Sequence, residues 1–218
     1  MKTHTCLLFH SAALFLIILS LSPESPAQWT SNTAVNTPVI VFSGQQVDPV
    51  VVSDGFGGVI TVWWDLRGPG SNLFMQRHDG DGYPQWAANG LQLTTSGTIG
   101  TNYKIISDNN GGAVVVWEEQ STADIYAQRI NSQGTFLWAP GGQPVCTFAN
   151  NQTSATVTAV GDGLIIAWSD QRNGGFSSFE VGIYAQKLNW SGVPQWTADG
   201  VPVIDLADRQ WNPRIVDD

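Results

Sequence analysis

The chain has 218 residues and a formal net charge of −9 at pH 7, with only 12% of its residues charged. An acidic chain argues against nucleic acid and against an anionic membrane surface as partners. The 23 Gly, 11 Pro and 10 Trp residues favour many short strands joined by tight turns, and therefore an all-β fold.

Residues 1–27 follow the order of a secretory signal peptide. Lys2 precedes an apolar run over residues 12–21, and small residues at Ser25 and Ala27 occupy the −3 and −1 positions of a cleavage site. The apolar run is short for a membrane span, which needs about 20 residues, although a retained N-terminal anchor is the alternative. We expect cleavage after Ala27 and an extracellular or cell-surface location.

The mature part then holds one cysteine, Cys146, and one histidine, His78. A single thiol cannot form a disulfide within the chain, and its position in the repeat described below favours burial. A single histidine excludes a His-rich zinc site and leaves little basis for a Ser-His-Asp triad. We therefore predict no metal centre and no catalytic residue.

A motif recurs along the mature chain in three long units. Each unit opens with an apolar strand, passes through a Gly-containing turn and reaches a Trp, and the first two of these Trp residues lie 54 positions apart. A further strand, another Gly turn and a second Trp follow in every unit. The first Trp of each unit is Trp63, Trp117 or Trp168, and the second is Trp86, Trp138 or Trp196.

Each unit predicts four short strands, which in the first unit cover residues 49–53, 59–65, 73–78 and 91–94. A four-stranded antiparallel unit of this length is typical of a β-propeller blade, and the recurring Trp residues would fill the space between blades. A solenoid of stacked sheets and a β-sandwich are the alternatives. A sandwich explains the short strands but not the recurrence of one motif with its turns.

The phase of the repeat predicts complete blades at residues 48–101, 102–153 and 154–211. Residues 28–47 are expected to contain the lone last strand of a preceding blade, because Trp29 aligns with Trp86. Residues 212–218 align with the first strand of a unit. About three and a half blades are thus expected in residues 28–218, which suggests a fragment of a longer propeller.

The combined pattern resembles a repeat of secreted bacterial β-propellers, many of which carry C-terminal sorting domains for type IX secretion. That repeat appears here as Val-Trp-Trp-Asp-Leu-Arg at residues 62–67 and as Asp-Ile-Tyr-Ala-Gln-Arg at residues 124–129. The second unit departs from it at Glu119 and Ser121, and the third at Lys187. The resemblance implies a propeller and export but no particular activity, since most such proteins have none known.

One carboxylate follows the first Trp of every unit, at Asp65, Glu119 and Asp170. Such residues could form a ring at one mouth of the propeller and bind a metal or a sugar hydroxyl. They could instead accept hydrogen bonds from turn amides, or pair with a basic residue of the next strand. Those basic residues are Arg77, Arg129 and Lys187. We favour the structural interpretation, because a catalytic site breaks the symmetry of a repeat.

The turn at residues 79–82 resembles a small piece of a calcium loop, in which alternate carboxylates, here Asp79 and Asp81, supply oxygen ligands. The equivalent turns at residues 131–134 and 189–192 lack acidic side chains, and no Glu follows at a closing position. A plain hairpin turn is therefore favoured over a calcium site.

Aromatic residues that do not recur in every unit are the best candidates for ligand binding, because they are not required by the blade. They are Trp64, Trp190, Trp211 and Phe176. Phe176 belongs to an insertion at residues 173–179 that lengthens one loop of the third unit, and irregular loops on a regular scaffold often carry function.

These observations predict a secreted or cell-surface propeller that acts as a non-catalytic binding, adhesion or scaffold module. Its expected partner is an extracellular polysaccharide or protein. The alternative is a propeller-type glycan-active hydrolase or lyase whose site is completed by further blades. Such an enzyme needs paired carboxylates about 5–10 Å apart, and the sequence does not show that pairing.

Overall fold

The computed structural model describes residues 29, 32, 34, 36–68, 70–95, 99–174, 180–206 and 209–216. The predicted signal peptide at residues 1–27 lies outside this part of the chain. The described residues form twelve β-strands and no helix, and so include no apolar helix long enough to cross a membrane. The expectation of an all-β fold is confirmed.

The strands form three four-stranded antiparallel sheets, each built from consecutive strands. The first sheet contains β1 (Gln46–Ser53), β2 (Val59–Gly68), β3 (Gly70–His78) and β4 (Leu91–Gln92). The second contains β5 (Ile99–Ser107), β6 (Ala113–Glu119), β7 (Asp124–Ile130) and β8 (Gln143–Cys146). The third contains β9 (Gln152–Val160), β10 (Gly163–Asp170), β11 (Gly182–Asn189) and β12 (Val201–Ile204).

The three sheets are successive blades of a β-propeller, as the sequence predicts. Neighbouring blades meet along their first strands, β1 against β5 and β5 against β9. The central strand of the second blade shows why its sequence is apolar throughout. Val115 and Trp117 of β6 pack toward the first blade, whereas Val114 and Val116 pack toward the third, because successive side chains of a strand point to opposite faces.

The largest side chains of the core are the recurring Trp63, Trp117 and Trp168, each almost fully buried. A tryptophan removes about 200 Å² from water, which is on the order of 5 kcal/mol at about 25 cal/mol per Å². Trp117 lies in the interface between the first two blades, and Trp168 lies in the interface between the last two. The repeated Trp therefore supplies a large part of the contact between blades.

The second Trp of the first and second units fixes its blade to a glycine turn of the next blade. Trp86 Nε1 donates a hydrogen bond of 3.1 Å to the Ser132 carbonyl, and Trp138 Nε1 donates one of 3.3 Å to the Trp190 carbonyl. Gly134 has a φ of +81°, and a Cβ added there would lie 2.9 Å from the Trp86 ring. This turn requires glycine because of its backbone and because of the ring beside it.

The ends of the described chain differ from the predicted strands. Residues 36–45 and residues 210–216 contain no strand. The described parts of residues 28–45 and 212–218 therefore do not contain the two terminal strands that the repeat predicts. Among the described residues, neither segment lies in a sheet, and a β-strand needs a hydrogen-bonded neighbour. The first strands of the second and third blades also begin earlier than predicted, at Ile99 and Gln152.

Candidate functional site

The repeated carboxylates of the first and third blades are buried and held by their own strand. The Trp63 indole donates a hydrogen bond of 2.7 Å to Asp65 Oδ2, and Trp168 donates one of 2.7 Å to Asp170 Oδ2. Both carboxylates are only 1% exposed. Arg67 and Arg172, two positions after each aspartate, close the ion pairs at 2.6 Å and 2.7 Å.

These partners correct the predicted pairing with the next strand. Arg77 pairs instead with Asp54, and Arg129 with Asp108, each at 2.9 Å. Strand register is the reason. Arg77 lies opposite Ile60, next to the turn that carries Asp54, whereas Asp65 is at the other end of β2. In the third blade, Lys187 pairs with the exposed carboxylate of Asp162 at 2.7 Å.

Hydrogen bonding keeps two of these carboxyl groups ionised. Burial favours the neutral acid of Asp65, but donors from Arg67 and Trp63, with the Arg67 charge, hold its pKa below the usual value. At Asp54, burial is likewise outweighed by bonds from Phe56, Arg77 and Gly58, and the pKa is again lowered. Both carboxylates therefore act as stable internal acceptors.

Arg67 and Arg172, the arginines that follow Asp65 and Asp170, each lie between two aromatic rings. The Arg67 guanidinium carbon is 4.4 Å from the Phe42 ring centre and 4.0 Å from that of Phe74. In the third blade, Arg172 lies 4.6 Å from Phe148 and 3.8 Å from Tyr184. Cation–π contacts of this kind add to the ion pair when the site is desolvated.

The middle blade lacks this arginine, as its sequence shows, and has Glu119 and Ser121 at the two positions. The Ser121 hydroxyl donates a hydrogen bond of 3.2 Å to Glu119 Oε1. Beside them lies an open cavity of about 240 Å³. Its lining comprises Thr94, Thr95, Trp117, Glu119, Thr122, Tyr126 and Gly141.

Of the four predicted aromatic residues, the structure places three and does not bring them together in one site. Trp64 is half-buried against the core of the first two blades, and its Nε1 donates a hydrogen bond of 3.2 Å to the Ile99 carbonyl. Trp211 is 43% exposed near the end of the described chain. Phe176 lies outside the described residues, and Trp190 borders a cleft.

That cleft has a volume of about 560 Å³ and is called here the Trp190 cleft. One side comes from the third blade, at residues 158–161 and Ile165, and Asn109 of the second blade adds an amide. Ile215 and Val216 complete the lining. Among the residues that the structure describes, none that lines the cleft is charged, and the lining combines an indole with aliphatic, hydroxyl and amide groups.

Arg129 holds Trp190 in place from the neighbouring blade. Its guanidinium carbon lies 4.9 Å from the Trp190 ring centre, and its Nη1 donates a hydrogen bond of 2.9 Å to the Trp190 carbonyl. The ion pair with Asp108 fixes the same guanidinium from the other side. The indole that borders the cleft is thus preorganised by a buried network.

The turn considered for calcium is held as a hairpin turn. Asp79 Oδ1 accepts hydrogen bonds from the backbone amides of Asp81 and Tyr83, at 3.1 and 2.9 Å. Its Oδ2 accepts one of 2.7 Å from the Gln85 side chain. Over the part of the chain that the structure describes, no group of three or more His, Cys, Asp or Glu side chains could hold a metal ion.

The remaining nucleophile and base are both buried. Burial raises the pKa of the Cys146 thiol to about 12, so the sulfur is a neutral thiol at physiological pH. The His78 ring is 1% exposed, and burial lowers its pKa against the opposing charge of Asp79. Neither group is placed to react with a ligand from solvent.

Sequence reasoning missed the two aspartates at the first turn of a blade. Asp54 accepts amide hydrogen bonds of 2.8 Å from Phe56 and Gly58, and Asp108 accepts the matching pair from Asn110 and Gly112. The signal was present, because both residues open a Gly-Gly turn after a strand. Asn109 carried no comparable signal, since its role in the cleft depends on the third blade.

No protein-family model matches this sequence, and no curated protein matches it either. Similar solved structures include a Bacteroides ovatus xyloglucan PUL GH43B, with a TM-score of 0.43 and 16% identity over 71% of this chain and 29% of that one. An endo-arabinase from Bacteroides thetaiotaomicron VPI-5482 has a TM-score of 0.44 and 20% identity, covering 74% of this chain and 64% of that one.

A third similar structure comes from work on the GH130 family of mannoside phosphorylases, which contains glycoside hydrolases targeting β-1,2 mannosidic linkages in Candida mannan. Its TM-score is 0.41 and its identity 13%, covering 74% of this chain and 52% of that one. The chain thus spans less than two thirds of the length of each of these three proteins.

Proposed function

We propose that the mature chain is an extracellular, non-catalytic binding module that holds a neutral saccharide in the Trp190 cleft. The observation that carries this proposal is the cleft itself, whose described lining joins a fixed indole to hydroxyl and amide groups and contains no charged residue. Sugar rings present C–H faces that pack on aromatic rings and hydroxyl groups that require polar partners. A ligand with a full charge would find no counter-charge in the described part of the lining.

The hydrogen bonds and ion pairs of the buried carboxylates support binding rather than hydrolysis. Hydrolysis of a glycosidic bond needs one carboxyl group that gives a proton and a second that serves as base or nucleophile. Asp65 and Asp170 are each committed to an arginine and an indole, and Asp54 and Asp108 to an arginine and turn amides. None of these four borders the Trp190 cleft.

The extracellular part of the proposal rests on the signal-like order of residues 1–27. Mass spectrometry of the exported protein should find Gln28 as the new N-terminus. Detection of intact Met1 in the exported protein would contradict cleavage.

The binding part is tested on an array of neutral and acidic glycans. We expect the wild-type protein to retain neutral glycans and to release no reducing ends from them. Two variants address the cleft. Trp190→Ala removes the indole, and Asn109→Gly removes the amide while suiting the φ of +56° at this position. Both should lower retention by about tenfold or more, which corresponds to about 1.4 kcal/mol.

Trp211→Ala is the matched control, because Trp211 is exposed but does not border the cleft. It should bind as wild type does. Circular dichroism must show that each variant is folded, since Trp190 also packs against the core of the last two blades. Unchanged retention by folded Trp190→Ala and Asn109→Gly would exclude the cleft as the binding site.

A further inference from the structure

The cavity beside Glu119 lies where the middle blade departs from its two neighbours in the residue two positions after the carboxylate. Arg67 and Arg172 stand four positions after the first Trp of their blades, and Ser121 takes that position in the middle blade. The serine side chain is far shorter than arginine. The first blade has an open cavity of about 270 Å³ at the corresponding place, beside Asp65 and Phe74, and Arg67 lines it. The cavity of about 240 Å³ beside Glu119 and Tyr126 in the second blade has no basic residue in its described lining.

The third blade shows what a guanidinium contacts in this setting. Arg172 pairs with the Asp170 carboxylate at 2.7 Å, donates a hydrogen bond of 2.7 Å to the Asp199 carbonyl, and stacks on the Tyr184 ring at 3.8 Å. A carboxylate, a backbone carbonyl and an aromatic face thus surround the cation.

The middle blade keeps the counterparts of all three. Glu119 takes the place of Asp170, and Tyr126 takes the place of Tyr184. Gly141 takes the place of Asp199, because the glycines that follow them, Gly142 and Gly200, are equivalent in the repeat. These three residues all border the cavity. The polar and aromatic surroundings of a guanidinium are therefore retained where the arginine is absent.

The charge of the cavity lining and its access to solvent also favour a cationic ligand. The cavity lining contains the Glu119 carboxylate and no lysine or arginine. Burial raises the pKa of Tyr126, and the charges of Asp124 and Glu119 raise it further, so both carboxylates act on the ring. Thr95, Thr122 and Gly141 are exposed, so a ligand can enter from solvent.

We infer that the cavity formed by Glu119, Tyr126 and Gly141 binds a guanidinium group. The group can belong to an arginine side chain of a protein partner or to a free guanidinium compound, and both offer the same planar, charged donor. The planar fork matches a carboxylate through two hydrogen bonds, which a compact ammonium does not. This site is separate from the Trp190 cleft and does not depend on saccharide binding.

The test is a titration of the ¹⁵N-labelled protein followed by NMR, with three small probes. Ethylguanidinium carries the plane and the charge, ethylammonium carries the charge alone, and urea carries the plane alone. We expect saturable shifts of the Gly141 and Thr122 amides with ethylguanidinium, and at least about tenfold weaker binding of the other two. Equal or unsaturable shifts with all three probes would overturn the inference.

Two variants locate the site. Ser121→Arg supplies the guanidinium from the chain, as in the neighbouring blades, and should abolish saturable binding. Glu119→Gln keeps the shape of the side chain, removes its charge, and should weaken binding by about tenfold or more. Binding that persists unchanged in Ser121→Arg would place the guanidinium elsewhere and overturn the inference.

A third variant asks whether the geometry alone creates such a site. Arg172→Ser opens the equivalent space in the third blade, and ethylguanidinium should raise its melting temperature by more than that of the wild type. If ethylguanidinium stabilises a folded Arg172→Ser protein no more than the wild type, the result counts against the inference. Where Arg172→Ser does not fold, the Ser121→Arg titration decides.

The peptides Gly-Arg-Gly and Gly-Lys-Gly then distinguish the two sources of the guanidinium group. An arginine peptide that binds more tightly than ethylguanidinium indicates a protein partner, whereas equal binding indicates a free compound.

Discussion

The indole of Trp168 donates a hydrogen bond of 2.7 Å to the carboxylate of Asp170, two residues later on the same strand. Residues two positions apart on a strand point to the same face, so a Trp-x-Asp pair can satisfy itself inside the blade. Arg172 then neutralises the carboxylate from the strand end. The carboxylate that recurs in this repeat therefore works as an internal acceptor in the first and third blades.

Asp170→Asn should lower the free energy of unfolding by about 3 kcal/mol, because it leaves the Arg172 cation buried without its partner charge. Asp162→Asn is the matched control. It also removes an ion pair, but the Asp162 side chain is 74% exposed, so its loss should have a much smaller effect, because water screens an exposed pair. Urea denaturation measures both, and equal effects would contradict the assigned role of Asp170.

Gly134→Ala should destabilise the protein by about 2 kcal/mol or more, since alanine is strained at positive φ and its Cβ would press on the Trp86 ring. Gly161→Ala provides the comparison, because a Cβ at Gly161 has nothing within 4 Å and its φ lies outside the left-handed region. That change should stay within about 0.5 kcal/mol. Thermal unfolding that fails to separate the two variants would argue against the glycine contact between blades.

The buried His78 should make stability fall as the pH drops below about 6.5, the usual pKa of histidine. Its pKa is lowered in the folded state, so the unfolded chain takes up the proton first and protonation favours unfolding. The stability is complete above the unfolded pKa and is lost as the pH falls toward the folded one. His78→Gln should reduce this dependence between pH 7.5 and pH 5.5, measured by urea denaturation. If the free energy of unfolding of His78→Gln depends on pH as steeply as that of the wild type, the assignment of this dependence to His78 is wrong.

Cys146 should resist thiol reagents in the folded protein, because the side chain is buried and its pKa is raised to about 12. Cys146 is the one thiol of the expected mature chain, residues 28–218. We expect it to react with a chromogenic disulfide at pH 8 only as fast as the protein opens, and completely in denaturant. Rapid reaction without denaturant would show that the thiol is accessible.

Much of the fold could be predicted from the sequence because the same pattern of strands, Gly turns and Trp residues occurs in three units. The Gly turns and the paired Trp positions mark where each blade begins and turns, and the strands follow between them. Residues 36–45 could not be predicted in this way. They align with a last strand, but a strand forms only where a neighbouring backbone is available, and that is a property of the tertiary structure.

The candidate sites were less accessible to sequence reasoning. Trp190 was identified because it does not recur, yet its partner Asn109 is more than 80 positions away in the chain. Of the two alternatives for Asp65, the pairing with Arg77 was wrong, because the strand register places Arg77 beside Asp54. The other alternative, a bond from a backbone amide, is present, since the Arg67 amide donates to Asp65. Contacts between strands and between blades decide these sites.

The proposed saccharide site is tested most directly by hydrogen–deuterium exchange with and without a neutral oligosaccharide selected from the array. Our account predicts added protection at residues 158–161 and around Trp190, with no change at the turn of residues 79–82. Protection confined to the region of Trp211, or absent throughout while the oligosaccharide is bound, would contradict the Trp190 cleft as the binding site.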